Sequence, residues 1–525
     1  MFAFLDKNRI VAKPNFNRWL VPPAALAVHL SIGMAYGFSV FWLPLSRAIG
    51  ITSAAPEDWK ISTLGWMYTL FFVFLGSSAA MFGHWLETHG PRKAGVYAAF
   101  CWGGGFILSA IGVYYHQIWL LWVGSGVIGG CGLGLGYISP VSTLIKWFPD
   151  RRGLATGMAI MGFGGGAMIG APLADRLMKH FATPTSVGVW ETFVALGVIY
   201  FIAILAGAFT YRIPPDGWMP AGWTPPPRAT GGMITHGHVH VNRVHRTPQF
   251  WLLWLVLCLN VSAGIGVIGM ASPMLQEVFG GRLIGIDMPF GGLTLAQKAQ
   301  VASIGAGFAG LLSLFNIGGR IFWSSLSDHI GRKRTYTLFF ILGIVFYALA
   351  PMAGRIRSLP LFVGLFCAIL TMYGGGFAAI PAFLADLFGT QFVGAIHGRL
   401  LTAWSTAGIL GPVLVNYLRE FQLARGVPID AVYNFTLYVL AGLLLIGLLC
   451  NALVRPVNEH HFMGPAELEK EKNQHRQIDI QPSPTGAVAS VSANWTAVIV
   501  AWTIVGIPLA WGIFKTIEKT AAMFR

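Results

Sequence analysis

Thirteen apolar runs dominate this chain, near 19–46, 62–85, 94–115, 118–147, 153–174, 189–212, 250–278, 299–326, 335–354, 359–388, 396–418, 432–454 and 494–514. A lipid core about 30 Å thick is crossed by about 20 helical residues, whereas a spanning β-strand needs only about half that number. Runs of this length therefore specify helices, which satisfy every backbone N–H and C=O internally where no water can. The expected fold class is an all-α membrane protein.

Composition gives the same answer. Of 525 residues, 55% are hydrophobic and 10% charged, against roughly 25% charged in a soluble domain. The charges sit between the runs. Lys7, Arg9, Lys13 and Arg18 precede the first run, which has no small-residue cleavage site, so a cytoplasmic N-terminus is predicted. With alternating helices, Arg92/Lys93, Arg151/Arg152, Arg243/Arg246 and Arg332/Lys333/Arg334 all fall on the same inner side. The net charge of +15 is thus read as positive-inside bias rather than a nucleic-acid footprint. The five cysteines form no disulfide framework and no metal spacing.

An internal repeat organises the runs. After the second comes Gly83-His-Trp-Leu-Glu87-Thr-His-Gly90-Pro-Arg92-Lys93, and after the eighth Ser324-Ser-Leu-Ser-Asp328-His-Ile-Gly331-Arg332-Lys333-Arg334. Glu87 and Asp328 lie 241 residues apart, as do Gly90 and Gly331, Pro140 and Pro381, Gly153 and Gly394, Gly157 and Gly398, and Gly170 and Gly411. A single offset across four helices predicts two six-helix halves in parallel orientation, a substrate site between them and alternating access. The expected segments are a cytoplasmic arm 1–18, a first half 19–212, an inter-half loop 213–249, a second half 250–454, a cytoplasmic tail 455–492 and an additional hydrophobic helix 493–525.

The two repeated loops resemble the signature loop of the major facilitator superfamily, with Glu87 in place of the usual aspartate and Ser324 in place of the usual first glycine. The resemblance implies that superfamily's fold of twelve helices, here with one more at the C-terminus. An acid there can accept hydrogen bonds from a neighbouring helix N-terminus while basic residues anchor the turn. Gly83, Glu87, Gly90, Arg92, Lys93, Asp328, Gly331, Arg332 and Lys333 are accordingly read as a conformational latch. The simpler alternative is a positive-inside anchor.

Three further stretches narrow the resemblance. They are Gly132-Leu-Gly134-Leu-Gly136-Tyr137-Ile-Ser-Pro140 before Lys146-Trp-Phe-Pro-Asp-Arg-Arg152-Gly, Thr247-Pro-Gln-Phe-Trp-Leu-Leu-Trp254, and Phe315-Asn316-Ile-Gly-Gly319-Arg320-Ile-Phe-Trp323. Together, over residues 15 to 455, they resemble the oxalate:formate antiporter family and, more distantly, the monocarboxylate transporters. In those families an arginine four residues before the signature loop holds the substrate carboxylate, which points to Arg320. It lies about six residues from the expected end of the eighth helix, where a guanidinium needs an anion or a wet cavity. Snorkelling to the headgroups, or pairing with Asp328, is the alternative.

Asn316 lies one turn earlier on the same face, placed to orient Arg320 or the anion but unable to take a proton. Tyr137 and Tyr373, beside glycines of the fourth and tenth helices, are read as lining an anion cavity or as interface anchors. His29, midway along the first helix, either binds the anion, carries a proton or packs. In the eleventh helix, Trp404 stands where oxalate exchangers of this family align a lysine. One cation suits one carboxylate, so formate, lactate, pyruvate or a related acid is favoured over oxalate.

The expected partners are thus a small carboxylate and the lipid bilayer, with no nucleic acid, and the expected location is the bacterial inner (plasma) membrane. No metal or cofactor is expected: His236, His238, His240 and His245 lack carboxylate or thiol partners at structural-site spacing, and the loop reads as solvated and basic. In the tail, Glu467, Glu469, Lys470, Glu471, Lys472 and Gln474 suggest a short helix before a linker with Pro482 and Pro484. The thirteenth run would put Lys515, Lys519 and Arg525 outside, against the positive-inside trend, and is read as a peripheral helix with a helix partner. An exporter of drugs or sugars, or a transporter-fold sensor, are the competing functions. No enzyme chemistry is expected, because the glycine-rich stretches lie within spanning helices, where they pack rather than cradle phosphates.

Overall fold

A computed structural model describes residues 3–13, 16–51, 55–215, 217–224, 233–476 and 495–521 of the chain. Pro482, Pro484 and Arg525 lie outside them. The helices are α1 (Arg18–Leu45, with a 3₁₀ stretch at Gly33–Phe41), α2 (Ile61–His89), α3 (Pro91–Tyr114), α4 (Ile118–Trp147), α5 (Arg152–Phe181) and α6 (Val189–Thr210). They continue as α7 (Pro248–Phe279), α8 (Leu295–Ile330), α9 (Arg332–Arg355), α10 (Leu359–Phe388), α11 (Val393–Leu400), α12 (Thr402–Ala424) and α13 (Asn434–Leu453). Two more, α14 (Pro465–Arg476) and α15 (Trp495–Ala521), complete the chain. Among the described residues no β-strand occurs.

Twelve helices among the described residues are long and apolar enough to cross a membrane. They are α1 to α10, α13 and α15. The eleventh run differs from its expectation: it begins at Val393, breaks after Leu400 and resumes as α12. Thr402, Ser405, Thr406 and Asn416 dilute its apolar character, so it falls outside the twelve.

The signature stretches are helices rather than loops. α2 runs on through Gly83 and Glu87 to His89, and α8 runs through Ser324 and Asp328 to Ile330. One residue makes each break, Gly90 at φ 93° and Gly331 at φ 86°, a region that L side chains avoid. α8 therefore continues ten residues beyond Arg320, further than its apolar run indicated.

The chain divides into two compact units. The first comprises Met1–Trp251, Pro381–Thr402 and Arg455–Ile507, and the second Leu252–Ile380, Ala403–Val454 and Pro508–Arg525. By the repeat, residues 381–402 belong to the second half, yet they pack in the first unit. There, α1 and α5 meet backbone to backbone at Gly33 and Gly166: a Cβ on Gly33 would fall 3.0 Å from the Gly166 Cα. That proximity of small residues is how lipid-embedded helices gain dispersion contact without a hydrophobic driving force.

Residues 235–243 of the inter-half segment form an ordered strap within the first unit, not a solvated loop. The Thr235 N–H donates to the Asp386 carbonyl at 2.7 Å and the Val239 N–H to the Phe388 carbonyl at 2.9 Å. Met463 N–H donates to the His238 carbonyl at 2.8 Å, and Arg243 pairs with Glu467 of α14 at 2.7 Å. Arg399 of α11 donates to the Val241 carbonyl and, at 2.9 Å, to the Asn242 Oδ1.

α15 is peripheral. Ile499, Ile504 and Ile507 are exposed, as lipid-facing residues are, and Trp19, Trp495, Val498, Ile499, Trp502 and Thr503 line a groove of about 460 Å³ in the first unit. In the second unit its Thr516 is buried close to Gly310 of α8, where a Cβ would meet the Thr516 Cγ2 at 3.1 Å.

Candidate functional site

In the second unit Arg320 is only 1% exposed. Its Nε donates to Asn316 Oδ1 at 3.2 Å, the i, i+4 neighbour on α8. The guanidinium carbon lies 5.6 Å from the ring centre of Phe377, a cation–π distance. α10 comes this close because residue 374 is glycine: a Cβ there would meet Asn316 Oδ1 at 2.6 Å and Arg320 Cγ at 3.1 Å. Asp328, the other partner considered for Arg320, pairs with Arg332 at 2.5 Å.

Phe377 gathers the remaining residues of this group. Its ring lies 5.3 Å from Tyr373 and 4.7 Å from Trp404, both edge-on. Tyr373 and Trp404 are buried, and Tyr373 packs over Gly264 of α7, where a Cβ would sit 2.6 Å from the Tyr373 Cγ. Arg320, Asn316, Tyr373 and Trp404 are thus brought together. The sequence reading passed over Phe377, although its spacing of four from Tyr373 on a helix was available. It also passed over Asn260, a buried amide within the apolar run of α7 whose Nδ2 has no hydrogen-bond partner among the described residues.

In the first unit His29 and Tyr137 are fully buried with rings 5.2 Å apart. His29 Nδ1 lies 2.5 Å from the Ala159 carbonyl oxygen and Nε2 lies 3.2 Å from that of Tyr137. Phe163 meets Tyr137 edge-on at 5.5 Å, and the ring of His397 from α11 lies 5.8 Å from it. His397 was not singled out in the sequence, although a histidine at the start of a spanning run marks it as unusual.

The first signature stretch centres on Glu87, which is buried. Its Oε1 accepts from Ser142 Oγ at 2.9 Å and from the Gly394 N–H at 3.0 Å, and its Oε2 faces Lys146 Nζ at 2.5 Å. Gly394 is the second residue of α11, so the carboxylate caps a helix N-terminus. Gly83 allows the contact: a Cβ there would lie 2.8 Å from the Ala395 Cα. Gly90 packs against Lys7, and Lys93 faces Asp6 at 3.8 Å.

Arg92 and Lys333, one repeat apart, do the same work in their own units. Arg92 donates to the Phe209 and Tyr211 carbonyls at 3.0 and 3.1 Å, at the end of α6. Lys333 donates to the Ala452 and Val454 carbonyls at 2.8 and 2.7 Å, at the end of α13. Each cation satisfies carbonyls that a helix C-terminus leaves open. Gly331 provides the turn before Lys333, and Arg332 reaches back to Asp328 and Ser327.

Twelve helices long and apolar enough to cross a bilayer, among the described residues, define an integral, multi-pass membrane protein. The chain belongs to the Major Facilitator Superfamily, whose sequence profile matches residues 24–312 and 283–522. It is similar to the oxalate:formate antiporter of Oxalobacter formigenes, 26% identical over 86% of this chain and 96% of that protein. It is also similar to apicoplast pyruvate carrier 1 of Toxoplasma gondii, 24% identical over 67% of this chain and 69% of that one. Among solved structures, the fucose:proton symporter FucP of E. coli superposes with a TM-score of 0.57 at 12% identity, over 84% of this chain and 100% of that one. That likeness speaks for the fold alone.

Proposed function

We propose that this transporter carries small carboxylate anions by alternating access, as anion exchange or proton symport, with Arg320 receiving the carboxylate. The observation that carries the reading is a buried guanidinium whose Nε is held by Asn316 and which faces the ring of Phe377. A guanidinium in such a place is expensive unless an anion or wet cavity receives it, and the planar fork of a guanidinium matches a carboxylate. The names of the relatives, an oxalate:formate antiporter and a pyruvate carrier, support the same substrate class.

Asn316, Tyr373 and Trp404 complete the substrate-binding group of the second unit, and Tyr137 and His29 form a substrate-binding group of the first. Trp404 contributes an indole, not a second cation, which favours formate, lactate or pyruvate over oxalate. The Glu87 network is the latch that holds α11 until substrate binding releases it, and the second stretch around Asp328 is its repeat counterpart. The basic N-terminal arm faces the cytoplasm, and the bilayer is the bacterial inner membrane. Uptake of labelled formate, lactate, pyruvate and oxalate into proteoliposomes tests the reading. Saturable uptake of a monocarboxylate, with oxalate the poorer competitor, is expected; transport of none of the four contradicts it.

A further inference from the structure

His397 is 1% exposed, and neither of its ring nitrogens has a hydrogen-bond partner among the described residues. Burying an imidazole in that way costs free energy that a packing role would not require. Its ring lies 5.8 Å from that of Tyr137, whose other neighbour, His29, lies 5.2 Å away. Two histidines therefore flank one tyrosine inside the first unit.

The two are seated differently. His29 has a carbonyl oxygen at each ring nitrogen, from Ala159 and Tyr137. A neutral imidazole offers one N–H and one lone pair, so one of those contacts would set a lone pair against an oxygen; the imidazolium donates to both. The seat of His29 suits a protonated ring and that of His397 a neutral one. Two imidazolium ions flanking one ring would repel, so the pair holds one proton at a time.

The acidic groups on the surrounding elements are engaged, while His84 of α2 and Tyr200 of α6 each keep a buried polar atom without a hydrogen-bond partner among the described residues. On α2, α4, α5, α6 and the end of α10, Glu87 meets Lys146, Asp386 meets Arg152, Asp175 meets Lys179 and Glu191 meets Ser186. Tyr137 is the titratable group facing both rings, and α5 presents to His29 the Ala159 carbonyl and the backbone of Gly162.

We propose that His29 and His397 form a proton-holding pair that couples proton movement to substrate transport. One N–H bond breaks at His29 and one forms at His397, the charge of the pair staying at one, and His397 then releases the proton to water. His397 rides on α11, whose Gly394 N–H is held by Glu87, so opening that latch moves one partner of the pair. This rests on the carboxylate-transport reading for the identity of the co-transported solute, and on the histidine geometry alone for the proton.

The test has two arms in the full-length protein. In proteoliposomes, an inward proton gradient should drive pyruvate accumulation by the wild type, and His397→Gln should lose that drive while keeping exchange against internal pyruvate. His397→Asn serves if the glutamine variant is poorly inserted. Gradient-driven accumulation unchanged in the variant, or a wild type that exchanges pyruvate but ignores the gradient, overturns the proposal and leaves carboxylate transport intact. The second arm needs no substrate. In ¹⁵N-histidine NMR of the protein in nanodiscs, a ring with two N–H protons at neutral pH should be present, disappear in His29→Gln, and change its titration between about pH 5 and 8 in His397→Gln. The absence of such a ring overturns the proposal even if none of the carboxylates is transported.

Discussion

The carboxylate of Glu87 accepts the backbone N–H of Gly394 at 3.0 Å, tying the end of α2 to the first turn of α11. The same carboxylate holds Ser142 and Lys146 of α4. Three elements are thus fixed by one buried charge.

Removing that charge should loosen them. Glu87→Ala leaves Lys146 without its partner and the N-terminus of α11 uncapped, and should lower thermal stability by about 1–3 kcal/mol. Glu87→Gln, which can still accept from Gly394, should lose less. Thermal unfolding of both variants in detergent, with transport at matched membrane abundance, checks this; equal stabilities would show that the charge does not hold α11.

Gly374 sets the distance between α10 and the Asn316–Arg320 pair. A methyl there would meet Asn316 Oδ1 at 2.6 Å and Arg320 Cγ at 3.1 Å, so Gly374→Ala should displace the guanidinium. Overpacking of this kind costs about 1–3 kcal/mol, here expected as a raised KM for the carboxylate. Gly364→Ala, on the same helix with nothing within 4 Å of its Cβ, should transport normally. Equal KM values for the two variants would contradict the packing argument.

Trp404 touches Phe377, the ring over which Arg320 lies. Trp404→Lys adds a cation to this group and should shift preference from monocarboxylates toward oxalate in competition assays. An unchanged ratio would separate residue 404 from the substrate.

Between α1 and α2, Asp58 collects the N–H groups of Ile49, Gly50 and Ala55 at 2.8, 3.0 and 2.9 Å. Burial by itself would raise its pKa, but these three donors and the nearby His116 outweigh it, and the net direction is below the ordinary carboxylate value. The folded-state pKa being depressed, the stabilisation is present above the unfolded value of about 3.9 and fades as pH falls through the folded one. Hydrogen-exchange protection factors of the Ile49, Gly50 and Ala55 amides, taken relative to the intrinsic rate at each pH, should be high at neutral pH and fall on acidification, while Asp58→Asn should show low protection throughout. A wild-type loop indifferent to acid would remove Asp58 as its organiser.

Much of this was legible in the sequence for a physical reason: lipid forces long apolar helices, and an i, i+4 pair such as Asn316 and Arg320 meets on any helix. The Glu87 network was legible in part, since an acid and a basic pair recurred at one offset. What escaped depended on tertiary contact. The polar residues from Gly83 to His89 looked like a loop, yet α2 simply extends past its apolar run. The strap at 235–243 takes its order from carbonyls and side chains at 386–399, remote in sequence, so a basic, histidine-rich segment gave no sign of it. Phe377 and His397 matter for what lies against them, which spacing along the chain does not disclose.

The most direct test of the central claim is pyruvate and lactate uptake by Arg320→Ala in proteoliposomes at wild-type protein content. Its buried guanidinium is the proposed receptor, so the variant should take up neither anion above protein-free vesicles while its unfolding temperature stays near that of the wild type. Uptake at the wild-type rate would contradict the account.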